Sequence, residues 1–179
     1  MTVRPLSRPR ARAGHSVLGL CALGAALVAL AVAAVAPAGA AAPRCQTSGL
    51  VIWLDTQGNG TAGTIFYTLN FTNLSGRSCT LHGFPGVSAV NLSGAQLGRS
   101  ANWTPGQTVR TITVNAGQTA HATVGIVDTG ALPNCRRTTA AGLRVFPPNQ
   151  TASKVVPFPF PACGGSGGPV YMHLRPVTR

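Results

Sequence analysis

From Thr64 to Thr72 large apolar residues recur at every second position. Ile65, Tyr67, Leu69 and Phe71 share one face, and Thr64, Phe66, Thr68, Asn70 and Thr72 share the other, which is largely polar. A period of two belongs to an extended strand with one buried face, and a helix of 3.6 residues per turn would scatter it. The pattern returns in Leu50, Ile52 and Leu54, and in Ala120, Ala122, Val124 and Ile126, with His121 and Thr123 outward. Val170, Met172 and Leu174 repeat it near the end, with Tyr171, His173 and Arg175 pointing the other way. Turn chemistry separates these runs: Gln57-Gly58-Asn59-Gly60, Asn73-Leu74-Ser75-Gly76, Phe84-Pro85-Gly86, Ser93-Gly94, Asn115-Ala116-Gly117 and Pro147-Pro148-Asn149. The expected fold is therefore all-β, a single antiparallel immunoglobulin-like β-sandwich of roughly seven to nine strands. Pro157-Phe158-Pro159-Phe160-Pro161 lacks alternate backbone donors, so it belongs at an edge rather than in the middle of a sheet.

Residues 1–40 read differently. Arg4, Arg8, Arg10 and Arg12 form a positive head, Val17 to Ala36 is uncharged and apolar, and Ala38-Gly39-Ala40 follows Pro37. That order is a secretory signal peptide, leaving residues 41–179 as one exported domain. The rival is an uncleaved anchor, which would be the chain's only contact with a membrane. Cys21 follows the bulky Leu20 and Cys45 follows Arg44, so neither suits lipid attachment.

Past the signal the chain keeps Cys45, Cys79, Cys135 and Cys163. An even count in an exported chain implies two disulfides, and four cysteines allow three pairings. Cys45–Cys79 with Cys135–Cys163 is the preferred set because each staples one half of the chain. Each closes a loop of about thirty residues, worth roughly 3.5 kcal/mol in the chain-entropy model. No two lie within four residues of each other, which argues against structural zinc.

Charge narrows the chemistry. The sequence has fourteen Lys or Arg and two acids, Asp55 and Asp128. Most acid–base catalysis and hard-metal binding draw on carboxylates. The ten cations after Ala40 are scattered, with only Arg136 and Arg137 adjacent, and nucleic-acid binders show a clustered stripe with interleaved aromatics. Nucleic acid is not an expected partner. An anionic envelope polymer needs only diffuse charge and stays open.

Gly58-Asn59-Gly60-Thr61-Ala62-Gly63 matches a dinucleotide fingerprint, but Thr64-Ile65-Phe66-Tyr67-Thr68 follows it where a helix is required, so it reads as a hairpin loop. A hydrolase triad would have to come from Ser88 or Ser100, His82 or His121, and Asp55 or Asp128, and spacing selects none of them. His82, His121 and His173 fall on separate strands and give no metal set. No catalytic, cofactor-binding or metal residue is assigned, and no cofactor is expected. Trp53 alternates with Ile52 and Leu54 and points outward, and Trp103 lies in the polar connection from Gly98 to Gln107. These two are the candidate contact residues. Asn-x-Ser/Thr sequons begin at Asn59, Asn70, Asn73, Asn91, Asn102 and Asn149.

Two segments carry a resemblance. Phe71-Thr72-Asn73-Leu74-Ser75-Gly76-Arg77-Ser78-Cys79-Thr80-Leu81-His82-Gly83-Phe84-Pro85-Gly86-Val87 resembles the signature of the domain of unknown function 4232, as does Gly142-Leu143-Arg144-Val145-Phe146-Pro147-Pro148-Asn149-Gln150-Thr151. The resemblance covers about Cys45 to Val177. It implies an exported β-sandwich of high-GC Gram-positive bacteria, with cysteines matching at 45, 79, 135 and 163. It implies no activity. The sequence thus leads to an exported, non-catalytic domain that binds an extracellular protein or envelope polymer. The alternatives are a hydrolase with an unrecognised site, and a protease inhibitor presenting the Pro-Phe segment before Cys163.

Overall fold

The computed structural model describes residues 41–165 and 167–179. The signal-peptide reading of residues 1–40 falls outside them. Eleven strands run in order: β1 Leu50–Thr61, β2 Thr64–Asn73, β3 Cys79–His82, β4 Gly86–Val90, β5 Gln96–Leu97, β6 Asn102–Trp103, β7 Thr111–Val114, β8 Thr119–Val127, β9 Arg136–Phe146, β10 Lys154–Gly164 and β11 Met172–Leu174. Single 3-10 turns stand at Thr47–Gly49 and Thr129–Ala131, and the described residues contain no α-helix.

The strands form a five-stranded sheet in the order β1-β2-β8-β11-β6, a four-stranded sheet β10-β9-β4-β5, and a two-stranded ribbon β3-β7. All ladders are antiparallel except the two-residue pairing of β11 with β6, which is parallel. The strand total exceeds the expected seven to nine because β5 and β6 are two-residue pieces that no periodicity reveals. The all-β, sandwich-like expectation holds. Leu69, Phe71, Val124 and Leu174 from one sheet and Val87, Leu143, Val145 and Phe160 from the other join a single buried core.

The alternation in β2 has a physical gradient. Leu69 and Phe71 are fully buried, Tyr67 is half-buried and Ile65 is 44% exposed, because the strand runs past the edge of the facing core. Asn70, on the polar face, is buried as well. The β1–β2 hairpin also turns later than expected. Gln57 to Gly60 stays in β1, with a register shift between Asp55 and Asn59, and the chain reverses at Ala62 (φ 44°) and Gly63 (φ 78°). Two consecutive left-handed residues make the tight turn that matches strand twist, and Gly63 adopts it without cost.

Tyr171 corrects a sequence expectation. It was assigned to the outward face, yet it is fully buried, while Val170 on the supposed core side is only half-buried. β11 begins at Met172, so Tyr171 precedes the regular strand and the alternation does not extend back to it.

The Pro-Phe stretch does lie at an edge: β10 is the outer strand of its sheet. It is a strand there and not a free loop, contrary to what an inhibitory loop requires. Pro157, Pro159 and Pro161 are exposed and Phe160 is buried, so the alternation survives a register shift between Pro157 and Phe160. Proline removes the donors with which an exposed edge would recruit another strand.

Both expected disulfides are present, Cys45–Cys79 and Cys135–Cys163, with Cα separations of 4.8 and 5.1 Å. Two such cross-links fit an oxidising compartment.

Candidate functional site

At the tip of the β1–β2 hairpin the two sheets part, leaving a cleft of about 430 Å³. Ile65 and Tyr67 of β2, Ile126 of β8 and Phe160 of β10 supply its apolar walls. The period-two pattern puts them there: all four sit on inward faces, at the end where there is no longer a full opposing layer to cover them. Behind these walls, Phe158 meets the Tyr67 ring edge-on at 4.9 Å and stacks on Phe160 at 5.5 Å. These contacts position the two aromatic walls, Tyr67 and Phe160. Thr61, Thr64 and Asp128 form the polar rim.

The rim is held by backbone. The Asp128 N–H donates to the Gly63 carbonyl at 2.7 Å, tying the end of β8 to the hairpin turn. Asp128 Oδ1 accepts from the Gly130 N–H at 2.8 Å, capping the 3-10 turn. Arg137 Nη2 donates to the Gly130 carbonyl at 2.9 Å. The cleft is therefore a pre-shaped apolar hollow with one carboxylate at its lip.

The catalytic candidates are dispersed. Ser88 is buried within β4, and Ser100 is exposed and accepts from Gln96 Nε2 at 3.4 Å. His82 Nδ1 lies 3.1 Å from Thr111 Oγ1, and His121 Nδ1 lies 2.6 Å from Asn70 Oδ1. Asp55 accepts from the Gln57 N–H at 3.0 Å. The partners of Ser100, His82, His121, Asp55 and Asp128 lie outside the candidate set, and no serine, histidine and carboxylate are strung together among the described residues. Among the described residues, no three His, Cys, Asp or Glu side chains gather where they would hold a metal.

Trp53 and Trp103 are both exposed, at 45% and 64%. They are not one patch. Trp53 lies on β1 and Trp103 on β6, the opposite edges of the five-stranded sheet. Four strand spacings separate those edges by about 19 Å. Trp53 Nε1 donates to Thr72 Oγ1 at 3.2 Å, and Trp103 stacks on Phe84 at 5.0 Å. The polar connection expected around Trp103 contains β6, and the stack on Phe84 is the contact its ring makes.

Phe158 and Phe160 were not singled out as site residues from sequence. Their signal was present, since they alternate with three prolines in a period of two. Tyr171 was also missed. Burial pushes its hydroxyl up to about 12, and the Cys163 backbone opposes part of that shift. The buried hydroxyl has no hydrogen-bond partner that meets distance and angle requirements.

No curated protein matches the chain. A family model does, over residues 45–178, which takes in every strand and all four cysteines described above. The chain belongs to the family described as domain of unknown function (DUF4232).

Proposed function

We propose that this protein is an exported, non-catalytic binding domain that receives apolar side chains of an extracellular protein in the cleft at the hairpin end. The single observation carrying this reading is the cleft itself: walls of two aromatic and two aliphatic side chains and a polar rim, about 430 Å³ in volume. That size and lining are those of a ligand-receiving hollow, and an aromatic centre inside a polar rim is the anatomy of an interface anchor. Export is supported by the charged, apolar and small-residue order of residues 1–40 and by the two disulfides. The non-catalytic reading is supported by the dispersal of Ser88, Ser100, His82, His121 and the two aspartates. The scaffold is read as immunoglobulin-like: β1-β2-β8 and β10-β9-β4 have the neighbour order that such sandwiches use in their two sheets.

The test is Ile65→Asp, which places a charge in the cleft at a side chain that is already partly exposed. The wild type should bind the neutral apolar dye Nile red saturably at one site. The variant should bind it at least tenfold more weakly and fail to retain extracellular proteins that the wild type retains, with its unfolding midpoint unchanged. Equal dye binding by both sinks the cleft as the site. Dye loss without any difference in retained protein would leave a small apolar molecule as the occupant instead. Labelling of the purified protein by a fluorophosphonate would overturn the non-catalytic reading, and an N-terminus other than Ala41 on secreted material would overturn the cleavage.

A further inference from the structure

The described cations fall into two groups. Arg137, Arg144 and Lys154 donate to the carbonyls of Gly130, Gly94 and Leu50, and Arg175 lies 5.7 Å over the Phe66 ring. Arg44, Arg77, Arg99, Arg110, Arg136 and Arg179 make no such contact among the described residues, and of these Arg44 and Arg77 line grooves beside β3 of the β3-β7 ribbon. Arg44 lines two adjoining grooves along β3. One, of about 280 Å³, also has Thr80, His82, Thr111 and Asn149 in its walls. The other, of about 260 Å³, has Gln46, Ser48, Ser75 and Arg77.

The backbones beneath these two side chains are fixed. Arg44 forms a bridge with Thr80, flanked by Cys45 N–H to Thr80 O at 2.9 Å and Thr80 N–H to Pro43 O at 2.8 Å, and Cys45–Cys79 locks that pairing covalently. The Arg77 carbonyl accepts from Asn73 Nδ2 at 2.7 Å and from Ser75 Oγ at 3.1 Å. The guanidiniums thus project from fixed backbone positions, exposed and with their donors unspent. Neither carboxylate competes for them, because Asp128 lies at the cleft and Asp55 lies opposite Thr68 on β1. The ribbon stands at the far end of β2 from the cleft. Nine residue steps from Thr64 to Asn73 make that about 30 Å.

We propose that the double groove along β3 binds a linear phosphate-bearing polymer, with Arg44 and Arg77 each engaging a phosphate and the hydroxyl and amide walls contacting the backbone between them. The guanidinium fork matches phosphate oxygens in pairs, which favours phosphate over a uniformly diffuse attraction. The two positions flank Cys79 and Thr80, so the bound segment lies along the strand rather than at one point. This surface is independent of the apolar cleft.

The test uses the natively purified protein and long-chain polyphosphate, titrated across a range of salt concentrations. The Arg44→Ala/Arg77→Ala double variant should lose at least tenfold in affinity, and its slope of log K against log salt should shrink by about 1.4, two contacts at roughly 0.7 each for a single-stranded polyanion. An Arg99→Ala/Arg136→Ala control removes the same charge from exposed positions elsewhere and should change affinity by less than threefold. Inorganic phosphate at equal phosphate concentration should not compete. Equal losses in the two doubles would show diffuse attraction and overturn the site, as would the absence of polyphosphate binding by the wild type. Tighter binding of polygalacturonate would overturn the assignment to phosphate. Both doubles alter exposed side chains only, and circular dichroism with thiol titration confirms that fold and disulfides persist.

Discussion

Asn73 is the polar side chain on which the ribbon end of the fold most depends. It is fully buried. Its Nδ2 donates to the Arg77 carbonyl at 2.7 Å and to the Val114 carbonyl at 2.8 Å, while Oδ1 accepts from the Ser75 N–H at 3.0 Å and Ser75 Oγ at 2.7 Å. One side chain thereby closes the turn after β2 and fastens β7 to it across 41 residues of chain. Asn73→Ala removes four hydrogen bonds and strands the buried Val114 carbonyl without its donor. At about 1 kcal/mol net per bond, with the exposed partners recovering water, the loss should be about 3 kcal/mol. For a domain of this size that is a fall in Tm of roughly 10 °C. Asn73→Asp keeps the shape and the two acceptor contacts but turns an oxygen toward two carbonyls, so it should be at least as damaging at neutral pH. Urea unfolding monitored by far-ultraviolet circular dichroism reads both variants. A loss under about 1 kcal/mol for Asn73→Ala, or an Asp variant as stable as the wild type, would refute the argument that this network organises the turn.

Other perturbations follow from the same structure. Tyr171 has its hydroxyl pushed up to about 12 by burial, so the folded state keeps a proton that the unfolded chain releases from about pH 10. The associated stability is complete below pH 10 and should fall by about 2–3 kcal/mol as pH rises through 12. Tyr171→Phe should abolish that alkaline loss and be neutral or stabilising by about 1 kcal/mol at pH 7, since the deleted hydroxyl has no partner; urea midpoints at both pH values check it. Replacing both members of Cys45–Cys79 or of Cys135–Cys163 by Ser should cost about 3.5 kcal/mol in each case, given separations of 34 and 28 residues, and equilibrium unfolding would reveal a smaller effect. Trp103→Ala should cost about 1 kcal/mol through the lost stack on Phe84, with Phe84→Ala in a double-mutant cycle testing whether the two effects are coupled.

Leu69, Phe71, Ala122 and Val124 sit where their period-two alternation puts them, because side-chain alternation is a local property of an extended backbone. The edge position of the Pro157–Pro161 stretch follows from missing donors, which is equally local. Tyr171 defeated the same reasoning, since a pattern carries no mark of where a strand begins. The parallel pairing of β6 with β11 joins segments about seventy residues apart, and β6, with two residues, leaves no periodicity to read.

The candidate sites show the same division. Ile65 and Tyr67 belong to the apolar face by alternation, but their role as cleft walls depends on β2 outrunning the opposing layer, a mismatch of lengths between distant strands. Arg44 and Arg77 lie 33 positions apart in a chain whose cations look evenly spread. The bridge to Thr80 and the Cys45–Cys79 cross-link bring them to one ribbon. Local chemistry in the sequence determined the strands, their buried faces, the cross-linking cysteines and the charge. Only the tertiary structure decided where an apolar face runs uncovered and which arginines keep their donors unspent, because both depend on what distant segments place beside them.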